Sequence, residues 1–218
     1  IAVQGLDKSL IDYQKSIGNL SLLRRILFRF EDLFETSFLV NKRNAYVSPS
    51  LAVAHPNALI DFEISSEWIS TCAGVFKKNV FKKYSFPSKF ITYSNNEYLM
   101  FSYTLFREKQ GLMMYTSKAR YRDMQTKSGR INIIPLMYQI QTYDYYIFLR
   151  VFDLNFKKIF IFLKSRLGHL LFNIFKSTFT KNKSPILLLH SLLSSIYPLL
   201  HFKELVKGNL SFYDNDFS

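Results

Sequence analysis

The chain has 218 residues, with 29 Lys+Arg against 16 Asp+Glu and a formal charge of +13. A hydrophobic content of 48% and an aromatic content of 17% exclude a disordered basic tail, which lacks the apolar surface to build a core. The single cysteine, Cys72, excludes an internal disulfide framework and a cysteine-based zinc site.

The charge imbalance favours a polyanionic partner over a small-molecule substrate, because each neutralised phosphate releases a counterion. Phe 22 and Tyr 14, against Gly 7 and Pro 6, follow AT-rich rather than GC-rich codons and point to an AT-rich genome, with organelle encoding as the expectation. The chain opens at Ile1, which suits a fragment, a processed chain or an organellar start other than AUG. Its first fifteen residues carry Asp7 and Asp12 and no long apolar run, so neither a secretory signal nor a transit peptide is expected.

In chain order, residues 20–35 have Leu23, Ile26, Leu27, Phe30, Leu33 and Phe34 at helical spacing and predict an N-terminal helix. Residues 41–58, broken by Pro49 and Pro56, read as loop. "LIDFEI", 59–64, alternates Ile60, Phe62 and Ile64 with Asp61 and Glu63, a half-buried strand. Residues 97–117 read as a hairpin: Leu99, Phe101, Tyr103 and Leu105 alternate along one strand, "REKQG" turns, and "LMMYTS" returns. "INIIPLMYQIQTYDYYIFLRVF" holds one or two more strands. From Asp153, a candidate cap, the period becomes helical, with Phe156, Phe160, Leu163, Leu167, Leu170 and Ile174 forming an apolar stripe. Residues 184–202 carry no formal charge and are long enough for a membrane span. Four serines, Pro198 and the stripe His190, Ser194, Tyr197, His201 fit a core element at least as well, so membrane contact from Ser184 to Phe202 is not the favoured expectation.

These elements imply an α+β fold. An N-terminal helix, central antiparallel strands with a hairpin and a C-terminal strand-helix-strand-like unit would form a single compact domain with an N-terminal extension. The extension with its basic loops takes residues 1–130, and the α+β domain takes residues 131–218.

No phosphate-binding glycine loop, nucleophile elbow, HExxH or CxxC is present. His55, His169, His190 and His201 are scattered, and the nearest carboxylate pairs, Asp61 with Glu63 and Glu31 with Asp32, fit element exteriors. No catalytic residue, metal site or cofactor is therefore expected. What is present is cation interleaved with aromatic. "FKKNVFKKYSFPSKF" sets Lys77, Lys78, Lys82, Lys83 and Lys89 among Phe76, Phe81, Tyr84 and Phe86. "KARYRDMQTKSGR" adds Lys118, Arg120, Tyr121, Arg122, Lys127 and Arg130 with few apolar anchors. Lysine and arginine neutralise phosphate, while aromatic and guanidinium planes stack on unpaired bases. The first run also reads as a helix with a solvated lysine face; the second reads as an RNA-gripping loop.

Further on, "YIFLRVFD" with a helix ending in "KSRLG" resembles the opening strand and first helix of the bacterial-type S10 family of small-subunit ribosomal proteins. "TKNKSPILLLHS" is similar to that family's basic loop and following strand, and "LLHFKELVK" to its later His–Lys–Leu–Val stretch. The likeness spans about residues 143–207 and contains no single specific motif. It implies a compact α+β domain in the head of a small ribosomal subunit, with Lys176, Lys181 and Lys183 near the RNA-facing loop. On this reading the chain is a structural constituent of a mitochondrial ribosome in the matrix, encoded by the organelle, with ribosomal RNA and neighbouring ribosomal proteins as partners. The alternative is a basic, matrix-side accessory subunit of a respiratory membrane complex.

Overall fold

The computed structural model describes residues 2–7, 33–34, 36–38, 46–53, 63–70, 74–90, 97–108, 113–121, 132–179 and 185–217. They belong to two compact units. The sheet unit spans Ile1–Ser48, Ala52–Pro87 and Glu97–Thr126, and the helical unit spans Pro49–Leu51, Ser88–Asn96 and Lys127–Ser218. The fold class is α+β. Of the N-terminal helix anticipated over 20–35, only Leu33 and Phe34 are among the described residues, and they are helical. Cys72 and His55 lie outside the described residues.

In the sheet unit, β1 (Ala2–Asp7), β2 (Glu63–Ser65), β3 (Gly74–Phe76) and β4 (Met113–Tyr121) form a mixed sheet in the order β2-β4-β1-β3. β1 runs parallel to β4 and antiparallel to β3, while β2 is antiparallel to β4. Of "LIDFEI" only Glu63 and Ile64 are among the described residues, and in β2 Ile64 is half-buried between exposed Glu63 and Ser65. Trp68 is fully enclosed, with ring centroids 5.6 Å from Tyr98 and 5.5 Å from Tyr115. Ile69, Val80, Phe101, Leu105 and Met113 form the adjoining core, with Phe76 and Tyr84 packed on it.

The hairpin anticipated over 97–117 is half right. Residues 113–121 are a strand, but Glu97–Arg107 form helix α1. Period-two alternation of Leu99, Phe101, Tyr103 and Leu105 assigned Ser102 and Thr104 to a polar face. In the helix Ser102 is buried, and each hydroxyl donates to the carbonyl four residues back, Ser102 to Tyr98 O and Thr104 to Met100 O, both at 2.7 Å. A helix satisfies such a buried hydroxyl from within, so Ser102 joins Leu99 and Leu105 on one inward face at i, i+3, i+6.

The helical unit is built on α2 (Ile133–Val151), packed by α3 (Phe156–Phe179), α4 (Pro185–Leu200), α5 (Phe202–Lys207) and α6 (Ser211–Phe217). The strands anticipated in "INIIPLMYQIQTYDYYIFLRVF" and the strand-helix-strand order of the C-terminal part are corrected to consecutive helices. Pro135 falls in the first turn of α2, where a missing N–H leaves no hydrogen bond unmade. From Gln141 to Phe148 every residue is buried, so the middle of α2 is enclosed on all sides and shows no amphipathic period for a sequence reading to detect. "YIFLRVFD", "SPILLLHS" and "LLHFKELVK" are helical over most of their length, where the S10 likeness expects strands at the first two. The start of α3 is capped by Asn155, whose Oδ1 accepts the Lys158 N–H at 3.0 Å, not by Asp153.

Aromatic rings lock these helices together. Phe162 of α3 stacks on Phe148 of α2 at 4.1 Å and meets Tyr145 edge-on at 4.9 Å. Tyr197 of α4 meets Tyr138 of α2 edge-on at 5.3 Å. Phe90 lies 4.6 Å from Tyr143, and the neighbouring Lys89 donates to Gly208 O at 2.6 Å. The polarity of α3 and α4 is reversed relative to a water-soluble bundle. α3 buries Phe162, Ser165 and Arg166, and turns outward Phe156 (86% exposed), Phe160, Leu163, Leu167 and Leu171. α4 buries Ser191, Ser194 and Tyr197 and turns outward Ile186 (61%), Leu189, Leu193, Ile196 and Leu200 (76%). Of the α3 stripe read from the sequence, Phe156, Phe160, Leu163 and Leu167 face out, whereas Leu170 and Ile174 are half-buried.

Gly208 ends α5 with φ +80°, and its N–H and that of Asn209 bond back to Leu205 O and Glu204 O. Arg150 of α2 donates to Val206 O at 2.7 Å, and a Cβ on Gly208 would run into its guanidinium. Gly208→Ala is therefore expected to destabilise the helical unit by at least the left-handed penalty, about 1–2 kcal/mol. Thermal unfolding of the variant, with and without Arg150→Ala to relieve the collision, separates backbone strain from steric clash.

A candidate nucleic-acid surface and a buried ion pair

Phe76 closes β3, and the chain then winds through a 3-10 turn, Lys78–Lys82. Val80 anchors that turn in the core, and its carbonyl accepts the N–H groups of Lys83 (3.1 Å) and Tyr84 (3.0 Å). With the turn pinned at its centre, Lys77, Lys78, Lys82 and Lys83 all project into solvent. Beside them Phe81 and Phe86 remain 48% and 41% exposed. Both rest on Phe101 of α1, Phe81 parallel to it at 6.0 Å and Phe86 at 4.3 Å, while Phe76 meets the same ring edge-on at 5.5 Å. The aromatic rings are thus held from below and open above. Lys83 lies 3.6 Å from Glu108, and the Tyr84 hydroxyl also donates to that carboxylate. Hydrogen bonding to Tyr84, reinforced by the nearby Glu108 charge, raises the Lys83 pKa and keeps it cationic.

The second predicted group behaves differently. Lys118, Arg120 and Tyr121 lie on β4 itself, so the basic loop anticipated from Lys118 begins as strand. The strand is buried from Tyr115 to Ser117 and emerges at Lys118, Ala119 and Arg120, all exposed, with Tyr121 half-buried. Lys118 Nζ lies 2.7 Å from Glu63 Oε1 of β2. The register also separates the two groups. Ala2 of β1 is level with Phe76 and Met113, whereas Leu6 is level with Arg120. The lysine turn and Arg120 therefore stand at opposite ends of β1, about 13 Å apart along the strand. Arg122, Lys127, Arg130, Lys181 and Lys183 lie outside the described residues, and Lys176 is described only as part of α3.

The group that sequence reading missed is in the helical unit. Arg166 of α3 donates to Asp144 of α2, both side chains nearly fully buried. Its other terminal nitrogen donates to Ser50 O at 3.1 Å and reaches Ser165 Oγ at 3.4 Å, and the guanidinium stacks over the Phe162 ring. The available signal was a lone acid in a long uncharged run, "MYQIQTYDYYIFL", which a strand assignment concealed. His169, one turn beyond Arg166, is held neutral: burial lowers its pKa to about 4, helped by the Arg166 charge and opposed by Asp144. His190 shares a 3.2 Å hydrogen bond with the Tyr138 hydroxyl, and His201 stacks flat on Phe212 at 4.3 Å. Among the described residues no three His, Cys, Asp or Glu gather into a metal-binding group. Comparison with protein-family models, with curated proteins and with solved structures finds no match to this chain.

Two outcomes follow for the ion pair and its neighbour. Asp144→Asn leaves Arg166 buried without a counter-charge and is expected to cost about 3–5 kcal/mol of stability, whereas Asp144→Leu combined with Arg166→Met recovers most of that loss; urea unfolding of the variants measures both. Because His169 binds its proton near pH 4 when folded and near 6.5 when unfolded, the unfolded chain takes up the proton first as pH falls. Stability is thus lost progressively from about pH 6.5 down to about pH 4, by about 3 kcal/mol in all. His169→Gln should flatten that part of the stability–pH curve.

Proposed function

We propose that this chain is a non-catalytic structural constituent of a mitochondrial ribosome, in the small subunit, that binds ribosomal RNA through the sheet unit. The observation that carries the reading is the turn at Lys77–Lys83, where four solvent-facing lysines, of which Lys83 is paired with Glu108, share a short stretch of chain with two exposed phenylalanines, Phe81 and Phe86, that rest on Phe101. Phosphate needs the cations; unpaired bases need flat, rigid, apolar faces. The net charge of +13 supplies the long-range attraction. Arg120 and Tyr121 at the far end of β1 are a second, separate RNA-facing group, weakened at Lys118 by its pairing with Glu63. The reading involves no metal, cofactor or catalytic group and locates the chain in the matrix with neighbouring ribosomal proteins. It rests on the surface chemistry and composition and no longer on the S10-like strand order.

A second reading, a basic matrix-side accessory subunit of a respiratory membrane complex, is favoured by a different observation: the outward apolar stripes of α3 and α4. RNA binding separates the two. For the ribosomal reading, Lys77→Gln/Lys78→Gln/Lys82→Gln should leave thermal unfolding unchanged and reduce the salt dependence of single-stranded RNA binding, by about 0.7 in log–log slope for each phosphate no longer neutralised. Phe81→Ala should weaken binding by about 1–3 kcal/mol with a small salt effect. Affinity unchanged in both variants would leave the accessory-subunit reading standing.

A further inference from the structure

The outward stripes of the helical unit have a charge pattern of their own. From Leu154 to Lys203 the chain contains no Asp or Glu. At 100° per residue, Phe156, Phe160, Leu163, Leu167 and Leu171 form one line along α3, with Lys157 and Lys164 on its margin, seven residues and two turns apart. Lys157 is exposed, as is Lys203, which follows the end of the α4 stripe. The opposite faces of both helices carry polar side chains beside Phe162 and Pro198, and those polar groups are already occupied: Arg166 by Asp144 and Ser50 O, His190 by Tyr138, Tyr197 by Asp216. The apolar side is therefore the side turned away from the interior of the helical unit, and between Leu154 and Lys203 every formal charge in the sequence is positive.

We infer that α3 and α4 seat the helical unit on an anionic lipid bilayer, lying in its interface with their Leu, Ile and Phe side chains inserted and the lysines at the headgroups. Apolar insertion and attraction to anionic lipid are the two terms that hold such helices at a membrane. The pattern fits lipid better than RNA, because Leu167, Leu189 and Leu193 offer neither a π-face nor a donor to a nucleotide. It also fits lying better than crossing. α4 has 16 residues, about 24 Å of helix against about 30 Å of hydrocarbon, and α3 carries Lys157 and Lys158 in its first turn and Lys164 two turns further on. Among the described residues no helix is long and apolar enough to cross a membrane. The inference rests on the helical unit alone, and the RNA-binding reading rests on the sheet unit, so each fails independently of the other.

Flotation of the full chain with vesicles tests it, using phosphatidylcholine alone and phosphatidylcholine mixed with phosphatidylglycerol. The chain should float with the mixed vesicles and much less with the neutral ones. Lys157→Gln/Lys164→Gln/Lys203→Gln should lower binding to mixed vesicles by about fivefold per lysine. Leu167→Gln/Leu193→Gln should lower it by about tenfold per inserted side chain, with unchanged thermal unfolding and unchanged RNA affinity. Absence of flotation overturns the inference, as does flotation indifferent to the leucine variant, which would mean adhesion by charge alone. An oligomer that the leucine variant dissociates would assign the face to a second copy of the chain. Loss of RNA affinity in the leucine variant would assign it to RNA.

Discussion

The rotation of α3 about its own axis is set by Arg166. A guanidinium cannot be buried without a counter-charge, and Asp144 on α2 is the carboxylate that meets it, so the face of α3 that carries Arg166 must look at α2. Ser165 and Phe162 come inward with it, and Phe162 then finds the rings of Phe148 and Tyr145. Once that face is inward, Phe156, Phe160, Leu163 and Leu167 have no direction left but outward. Orphaning one charge of a buried pair costs several kcal/mol, while Phe156, Phe160, Leu163, Leu167 and Leu171 each forgo about 1.5–3 kcal/mol that another molecule can restore. α3 is thus oriented by its ion pair, and its apolar stripe is left for the surroundings.

What the sequence disclosed, and what it hid, follows from the same physics. Composition and patterning were enough for the α+β class, for the strands around Ile64 and Tyr115, and for a helix after Asp153, because each has a clear period of two or of three to four. Periodicity reports that a helix has an apolar face; it does not report whether that face is inside. Only a partner for Arg166 reveals this, and the partner lies 22 residues away in a segment read as strand. The middle of α2 was hidden by its own burial, since a helix covered on every side has no polar stripe. α1 was hidden by Ser102, whose hydroxyl bonds within its own helix. At the candidate site the four turn lysines were visible as a run, but their common exposure depends on Val80 pinning the turn, and their separation from Arg120 depends on sheet register. Neither is written in the local sequence.

The two units solve the problem of a basic, aromatic-rich chain in opposite ways. In the sheet unit the aromatics gather beneath, and cations stand on a turn braced from within. In the helical unit the aromatics of α2 meet those of α3, α4 and α6 in the interior, and Leu, Ile and Phe side chains line the outside of α3 and α4. A single net charge therefore serves two different surfaces, one suited to phosphate and bases, the other to an apolar, negatively charged boundary.

The sheet has a further consequence for how the chain is made. β1 lies between β3 and β4, and its parallel partner runs from Met113 to Tyr121. At about 5–20 residues per second, the hundred or so residues separating them take about 5–20 s to synthesise. During that interval the described residues offer Ala2–Asp7 only the three residues of β3 to pair with, and the β4 side of the strand has yet to be filled. Sheet closure waits for a sequence-distant partner, the kind of long-range pairing that slows folding. The nascent strand must be kept from other edges until the end of the sheet unit emerges, so the folding of this unit is timed by translation through its last strand rather than by the collapse of its first.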